Sequence, residues 1–173
     1  MGRKKALIIV DMINDFVHKN GALYVKNSES IIPYIKEKIL EFKNENFPVF
    51  YANDNHFKYD EEFNLFPKHG VRGTWGAKVI SDLEPSKEDI IIPKRRYSAF
   101  FGTDLDIYLR EMDIKEVSIV GVVTHICVFY TAIFGRLLEY KISVLRNGVY
   151  DFDEKLHQIA LSQLREVWGV DIV

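Results

Sequence analysis

Val117-Ser-Ile-Val-Gly-Val-Val-Thr-His-Ile-Cys127 holds an apolar run, a glycine, and then the only cysteine of the chain. Residues 117–120 read as a strand and a helical pattern begins around Cys127, so Gly121 to Thr124 mark a strand-to-helix junction. A thiol at such a junction meets the first unpaired backbone N–H groups and the positive end of a helix dipole. Both favour thiolate over thiol. A free cysteine is also a small hydrophobe that cores often absorb. Position alone therefore leaves nucleophile and core filler both open.

Working outward, five further apolar runs, residues 6–10, 48–52, 90–92, 142–145 and 170–173, are rich in Ile and Val. Most are apolar at successive positions, as expected for parallel strands covered on both faces. Between the strands lie helical patterns at 28–44, 105–112, 127–139 and 153–168, the last with Asp151 or Asp153 available as a cap. The 28–44 stripe runs through Ile31, Ile32, Ile35, Ile39, Leu40 and Phe42. Repeated β-α-β units in a chain this short predict one domain, residues 1–173: a three-layer α/β/α, Rossmann-like open sheet of about six strands, mostly parallel. Residues 53–76 form the one long stretch without periodicity, and a loop of that length in a compact domain is expected to be functional.

Composition narrows the field. The chain has 173 residues, 47% hydrophobic and 28% charged, which is ordinary globular usage. Its net charge of −2 gives no general attraction to nucleic acid or anionic lipid. One cysteine cannot form an internal disulfide, which suits a reducing cytoplasm. The basic start, Met1-Gly-Arg-Lys-Lys5, is followed by only five apolar residues before Asp11, too few for a signal-peptide core or a membrane span. A cytoplasmic protein without membrane or nucleic-acid partners is expected, with homo-oligomerisation left open.

Ligands of doubly wound sheets sit beyond the carboxyl ends of the strands. There the first strand delivers Asp11, the third delivers Lys94 and the fourth leads to Cys127. A turn carboxylate and a surface lysine are ordinary taken singly; an acid, a base and a nucleophile at one sheet edge make a catalytic set. In the long loop, Asp54 and His56 flank one residue, and His69 follows a Phe-Pro turn. Imidazole plus carboxylate suits Zn²⁺, Mn²⁺ or Fe²⁺. His18, His125 and His157 lack a spaced ligand partner. Gly70, Gly73 and Gly76 form no dinucleotide fingerprint. Lys94-Arg-Arg96 has no wider basic face around it.

Leu7-Ile-Ile-Val-Asp-Met-Ile-Asn-Asp-Phe16, Lys94-Arg-Arg-Tyr-Ser-Ala-Phe-Phe-Gly-Thr-Asp104 and Gly121-Val-Val-Thr-His-Ile-Cys-Val128 resemble, in order and over nearly the whole chain, the cysteine hydrolases of the isochorismatase-like superfamily. The resemblance implies a catalytic triad of Asp11, Lys94 and Cys127. It also implies an oxyanion site from the N–H groups of Val123 and Cys127, the former presented by a cis peptide. Phe66-Pro-Lys-His69 and Gly73-Thr-Trp-Gly76, taken with Asp54 and His56, resemble the metal loop of nicotinamidases. Glu62 falls where a glutamate variant of that loop has its further ligand. That resemblance implies one divalent metal ion, zinc first and Mn or Fe as alternatives, on Asp54, His56, Glu62 and His69; isochorismatases proper are not expected to carry this set. Phe16, Phe66 and Tyr97 fall where nicotinamidases enclose the pyridine ring, and flat apolar walls suit such a ring.

The implied reaction is hydrolysis of nicotinamide to nicotinic acid and ammonia through a cysteine thioester, a step of pyridine nucleotide salvage. Asp11 would act as base, Lys94 would hold it, and the metal would orient the ring. The alternative is another amidase of the superfamily acting on an N-carbamoyl or related small amide. A third reading, a non-enzymatic scaffold, is disfavoured by the intact triad. His125 stands where many relatives have Asp, and Gly70 and Trp75 also depart from the usual residues.

Overall fold

The computed structural model describes residues 4–173; the first three residues of the basic start lie outside the described residues. Six strands form one sheet: β1 (Lys5–Val10), β2 (Val49–Asp54), β3 (Ile90–Lys94), β4 (Glu116–Val122), β5 (Lys141–Tyr150) and β6 (Asp171–Ile172). Their order is β3-β2-β1-β4-β5-β6, and every pairing is parallel. The chain moves outward from β1 to β3, then returns to lay β4 on the other side of β1. The crevice where strand order reverses therefore opens between the carboxyl ends of β1 and β4.

Side chains alternate across the strands, and two cores result. Ala6, Ile8 and Val10 join one core with Leu105 and Leu109 of α3 (Leu105–Glu111), Ala132 of α4 (Phe129–Leu137), and Leu161 and Leu164 of α5 (Glu154–Trp168). Leu7 and Ile9 join the other, with Val17 of α1 (Asn14–Val17) and Ile35 and Phe42 of α2 (Ile32–Asn44). Leu7, Ile8, Ile9 and Val10 are fully buried. Each contributes roughly 1.5–3 kcal/mol of transfer free energy. Asp153 caps α5 by accepting from the Leu156 N–H, and Gly169 closes it in the left-handed conformation.

Beyond shifts of one or two residues at several strand and helix ends, three differences from the sequence reading matter for the fold. Ser28–Ile31 forms a 3-10 turn before α2 proper. β5 continues through Arg146-Asn-Gly148, where the apolar run has stopped: a register shift there interrupts the pairing with β4, which resumes at Val149, while the Arg146 N–H donates to the Val173 carbonyl. Thr124–Val128 forms a wide π-type turn, so α4 begins at Phe129 and Cys127 lies within the turn before it. Among the described residues no helix is long and apolar enough to cross a membrane.

Candidate active site

Gly121 lets β4 close on β1: its φ is +118°, and a Cβ there would lie 2.0 Å from the Val10 carbonyl oxygen. The two strand ends, bearing Asp11 and the Cys127 turn, are thereby pressed together. Asp11 has φ +54°, a left-handed conformation that Asp tolerates better than most residues. In β2 and β3, Asp54 pairs in register with Lys94, so carboxylate and ammonium leave adjacent strands side by side. The peptide Val122–Val123 is cis.

The three catalytic candidates meet in the crevice. Lys94 Nζ lies 2.7 Å from Asp11 Oδ2, 2.5 Å from Asp54 Oδ1 and 3.7 Å from Cys127 Sγ, and is wholly buried. Asp11 Oδ1 accepts the Asp54 N–H at 2.7 Å. Burial, reinforced by the Asp54 charge, raises the Asp11 pKa to about 6 against the pull of Lys94. For Lys94, burial opposes the charge, but Asp11 and Asp54 outweigh it and hold the ammonium well above its ordinary value. The outcome for Cys127 reverses the helix-dipole argument: burial pushes the thiol well above its usual range against the pull of Lys94, and the charges of Asp11 and Asp54 add to the rise. The resting sulfur is therefore held as a thiol, and the Lys94 ammonium lies between it and Asp11.

Ligand-capable atoms of Asp54, His56 and His69 lie within 4.8 Å of one another. His56 Nε2 is 3.5 Å from Asp54 Oδ2, and His69 Nε2 is 3.6 Å from the same oxygen. Glu62 closes the group, its two oxygens 3.8 Å from His56 Nε2 and 3.5 Å from His69 Nε2. His56 Nε2 is buried without a hydrogen-bond partner. An orphaned imidazole nitrogen facing carboxylates fits a cation between them, and two nitrogens with two carboxylates suit Zn²⁺, Mn²⁺ or Fe²⁺. Gly70 must be glycine beside this group: φ is +52° and a Cβ would meet Asp54 Cβ at 2.6 Å.

One cavity of about 370 Å³ joins the two clusters. Cys127, Asp54, Glu62 and His69 line it, as do Phe16, Phe66, Tyr97 and Val123. Phe16 and Phe66 pack against the His69 ring at centroid distances of 5.3 Å and 6.3 Å, and Tyr97 stacks on Tyr130 at 5.8 Å. His56, Asp11 and Lys94 are buried behind the wall.

Three residues near the site were not read as site residues from the sequence, although Asp151 was a candidate helix cap. Asp60 is bound to His56 Nδ1 and to Arg95. Asp151 holds His125 by its backbone N–H at 2.9 Å and by its ring Nδ1 at 2.6 Å. Phe152, edge-on to the His125 ring, adds a wall to the cavity. Only Asp60, four residues past His56, had a local sequence signal.

With this geometry the relatives can be compared. The isochorismatase domain model matches residues 5–171. The crystal structure of nicotinamidase/pyrazinamidase PncA from Bacillus subtilis is 35% identical with a TM-score of 0.93, covering 98% of this chain and 99% of that one. Pyrazinamidase of Pyrococcus horikoshii, solved in complex with zinc, is 32% identical with a TM-score of 0.92, covering 98% of each chain. N-carbamoylsarcosine amidase from Thermoplasma acidophilum is 32% identical with a TM-score of 0.90, covering 98% of this chain and 95% of that one. A family match running from β1 to β6, on a fold shared over nearly its full length with known amidases, makes the chain an amidohydrolase that belongs to the isochorismatase family.

Proposed function

We propose that this enzyme hydrolyses nicotinamide to nicotinic acid and ammonia, with Cys127 as nucleophile, Asp11 as general acid–base and Lys94 as their electrostatic anchor. The observation that carries the reading is that the thiol and the histidine–carboxylate group face one apolar cavity with Phe16, Phe66 and Tyr97 on its walls. A ring held at the second group would present its carboxamide to the first.

Asp11 removes the Cys127 proton, which it can do at neutral pH because its own pKa is about 6. The sulfur attacks the amide carbonyl, and the N–H groups of Val123 and Cys127 receive the developing oxyanion. Asp11 returns the proton to the departing nitrogen, ammonia leaves, and a thioester remains. Asp11 then takes a proton from water, whose oxygen attacks the thioester, and passes that proton to the departing sulfur; nicotinic acid leaves, and the thiol and the Asp11 carboxylate are restored. Lys94 keeps Asp11 oriented and offsets negative charge on sulfur. Asp54, His56, Glu62 and His69 would hold one divalent metal ion, zinc first, which when bound supplies a Lewis-acidic contact for the pyridine nitrogen. A cytoplasmic step of pyridine nucleotide salvage completes this reading.

Ammonia release from nicotinamide, measured with and without a chelator and after zinc is restored, tests the proposal. Turnover lost with the chelator and recovered with zinc is expected. A protein that binds no metal and turns over an N-carbamoyl amide instead would replace this reading with the carbamoyl-amidase one.

A further inference from the structure

His56 and His69 reach the candidate metal group in the same way. His69 Nδ1 lies 2.7 Å from the Pro67 carbonyl oxygen. A carbonyl can only accept, so Nδ1 carries the proton and Nε2 is left with a lone pair toward Glu62 and Asp54. The His56 ring has Nδ1 3.0 Å from Asp60 Oδ2, with Nε2 turned to Asp54 and Glu62. Its backbone is also held, its N–H donating to the Gly70 carbonyl and its carbonyl accepting from the Arg72 N–H.

The side chain of Asp60 is fully buried, and both of its oxygens are taken. Oδ2 accepts from His56 Nδ1, from the Phe57 N–H at 3.2 Å and from Arg95 Nε at 3.1 Å, while Oδ1 accepts from Arg95 Nη2. With every contact a donor, Asp60 is not free to be a ligand itself. The Arg95 guanidinium that fixes it lies 4.4 Å from the centre of the Phe57 ring, and Arg72 sits at 4.8 Å from the same ring. Arg95 also follows Lys94 directly, so the end of β3 anchors the triad with one residue and this carboxylate with the next.

We infer that Asp60, clamped by Arg95, is the positioning residue of His56: it holds the ring with the proton on Nδ1 and the Nε2 lone pair aimed at the metal group. A carboxylate partner both sets the tautomer and makes the imidazole a stronger donor, and losing such a partner typically lowers metal affinity about 10–100-fold. Asp60→Asn keeps the size but introduces an NH₂ that must face a donor, either Arg95 or His56 itself. The inference rests on the metal reading above.

The test uses the full-length protein stripped of metal and titrated with Zn²⁺ against a chromophoric chelator. Asp60→Asn should bind zinc about 10–100-fold more weakly than wild type, while the alkylation rate of Cys127 in the metal-free protein stays unchanged. Equal zinc affinity in variant and wild type overturns the inference. Should the variant not fold, ¹⁵N-histidine spectra of metal-free wild type decide: His56 protonated on Nδ1 in its neutral form supports it, and protonation on Nε2 overturns it. Wild type that binds no zinc defeats the metal reading itself, and the tautomer result still settles what Asp60 does to His56.

Discussion

Replacing Lys94 with Met removes the ammonium that sits between two buried carboxylates while keeping most of the side-chain volume. Lys94 is wholly buried, with Asp11 at 2.7 Å and Asp54 at 2.5 Å. Removing one partner of a buried ion pair costs ~3–5 kcal/mol. In a chain of this size each kcal/mol moves Tm by roughly 2–4 °C, so Lys94→Met should melt roughly 6–20 °C below wild type at neutral pH. The deficit should depend on pH. Asp11 is already raised to about 6 by burial and by Asp54, and it rises further once Lys94 is gone. A carboxyl whose folded pKa exceeds its unfolded one stabilises the fold at low pH and loses that contribution as pH climbs through the folded value. The variant should therefore be least impaired near about pH 5 and most impaired near about pH 8. Thermal unfolding of chelator-treated protein at the two pH values measures this. A Tm within about 2 °C of wild type at both would refute the view that Lys94 neutralises this pair.

Cys127→Ala and Cys127→Ser should fold normally and lose essentially all turnover, and a Cys127→Ala enzyme keeping about a tenth of wild-type kcat would end the cysteine mechanism. Asp11→Asn should be nearly as damaging, because it removes the proton acceptor while preserving shape. The acid limb of kcat/KM should fall near pH 6, where Asp11 takes up a proton and ceases to be a base; a limb at the ordinary aspartate value of about 3.9 would contradict the desolvated carboxyl. Removing His56 or His69 should lower bound metal and raise KM while Cys127 still reacts with a small alkylating agent; unchanged metal content by elemental analysis would take those residues out of the ligand set.

The layer architecture was legible because six short apolar runs were separated by 3.6-period stripes, and each run became a strand. The half of β5 beyond Leu145 was not, since Arg146 and Asn147 are exposed there and carry no apolar signature. The four-residue α1 is too short for periodicity to register. Asp11, Lys94 and Cys127 could be placed at one edge from strand ends alone, and the Asp54–His56 pair from its spacing. The role implied for Glu62 needed the family resemblance, because the seven residues separating it from His69 carry no geometric demand. Asp151 acts on a residue 26 positions away, which no local pattern encodes, and the four-residue spacing of Asp60 from His56 says nothing of its clamp by Arg95. The direction of the Cys127 pKa was misjudged for a related reason: the helix-terminus argument is local, whereas burial and two carboxylates from other strands are not.

The central claim is that thiol and histidine–carboxylate group act on opposite ends of one ring-bearing amide in the cavity lined by Phe16, Phe66 and Tyr97. Nicotinamide and benzamide have nearly the same shape and differ at the ring nitrogen, so the ratio of their kcat/KM values with zinc-loaded enzyme isolates the contact at the second group. A lost contact to a buried polar site can cost on the order of 10⁴-fold in selectivity, and nicotinamide should be favoured by a ratio approaching that. Equal kcat/KM for the two amides would contradict the account, even with Cys127 and Asp11 confirmed as essential.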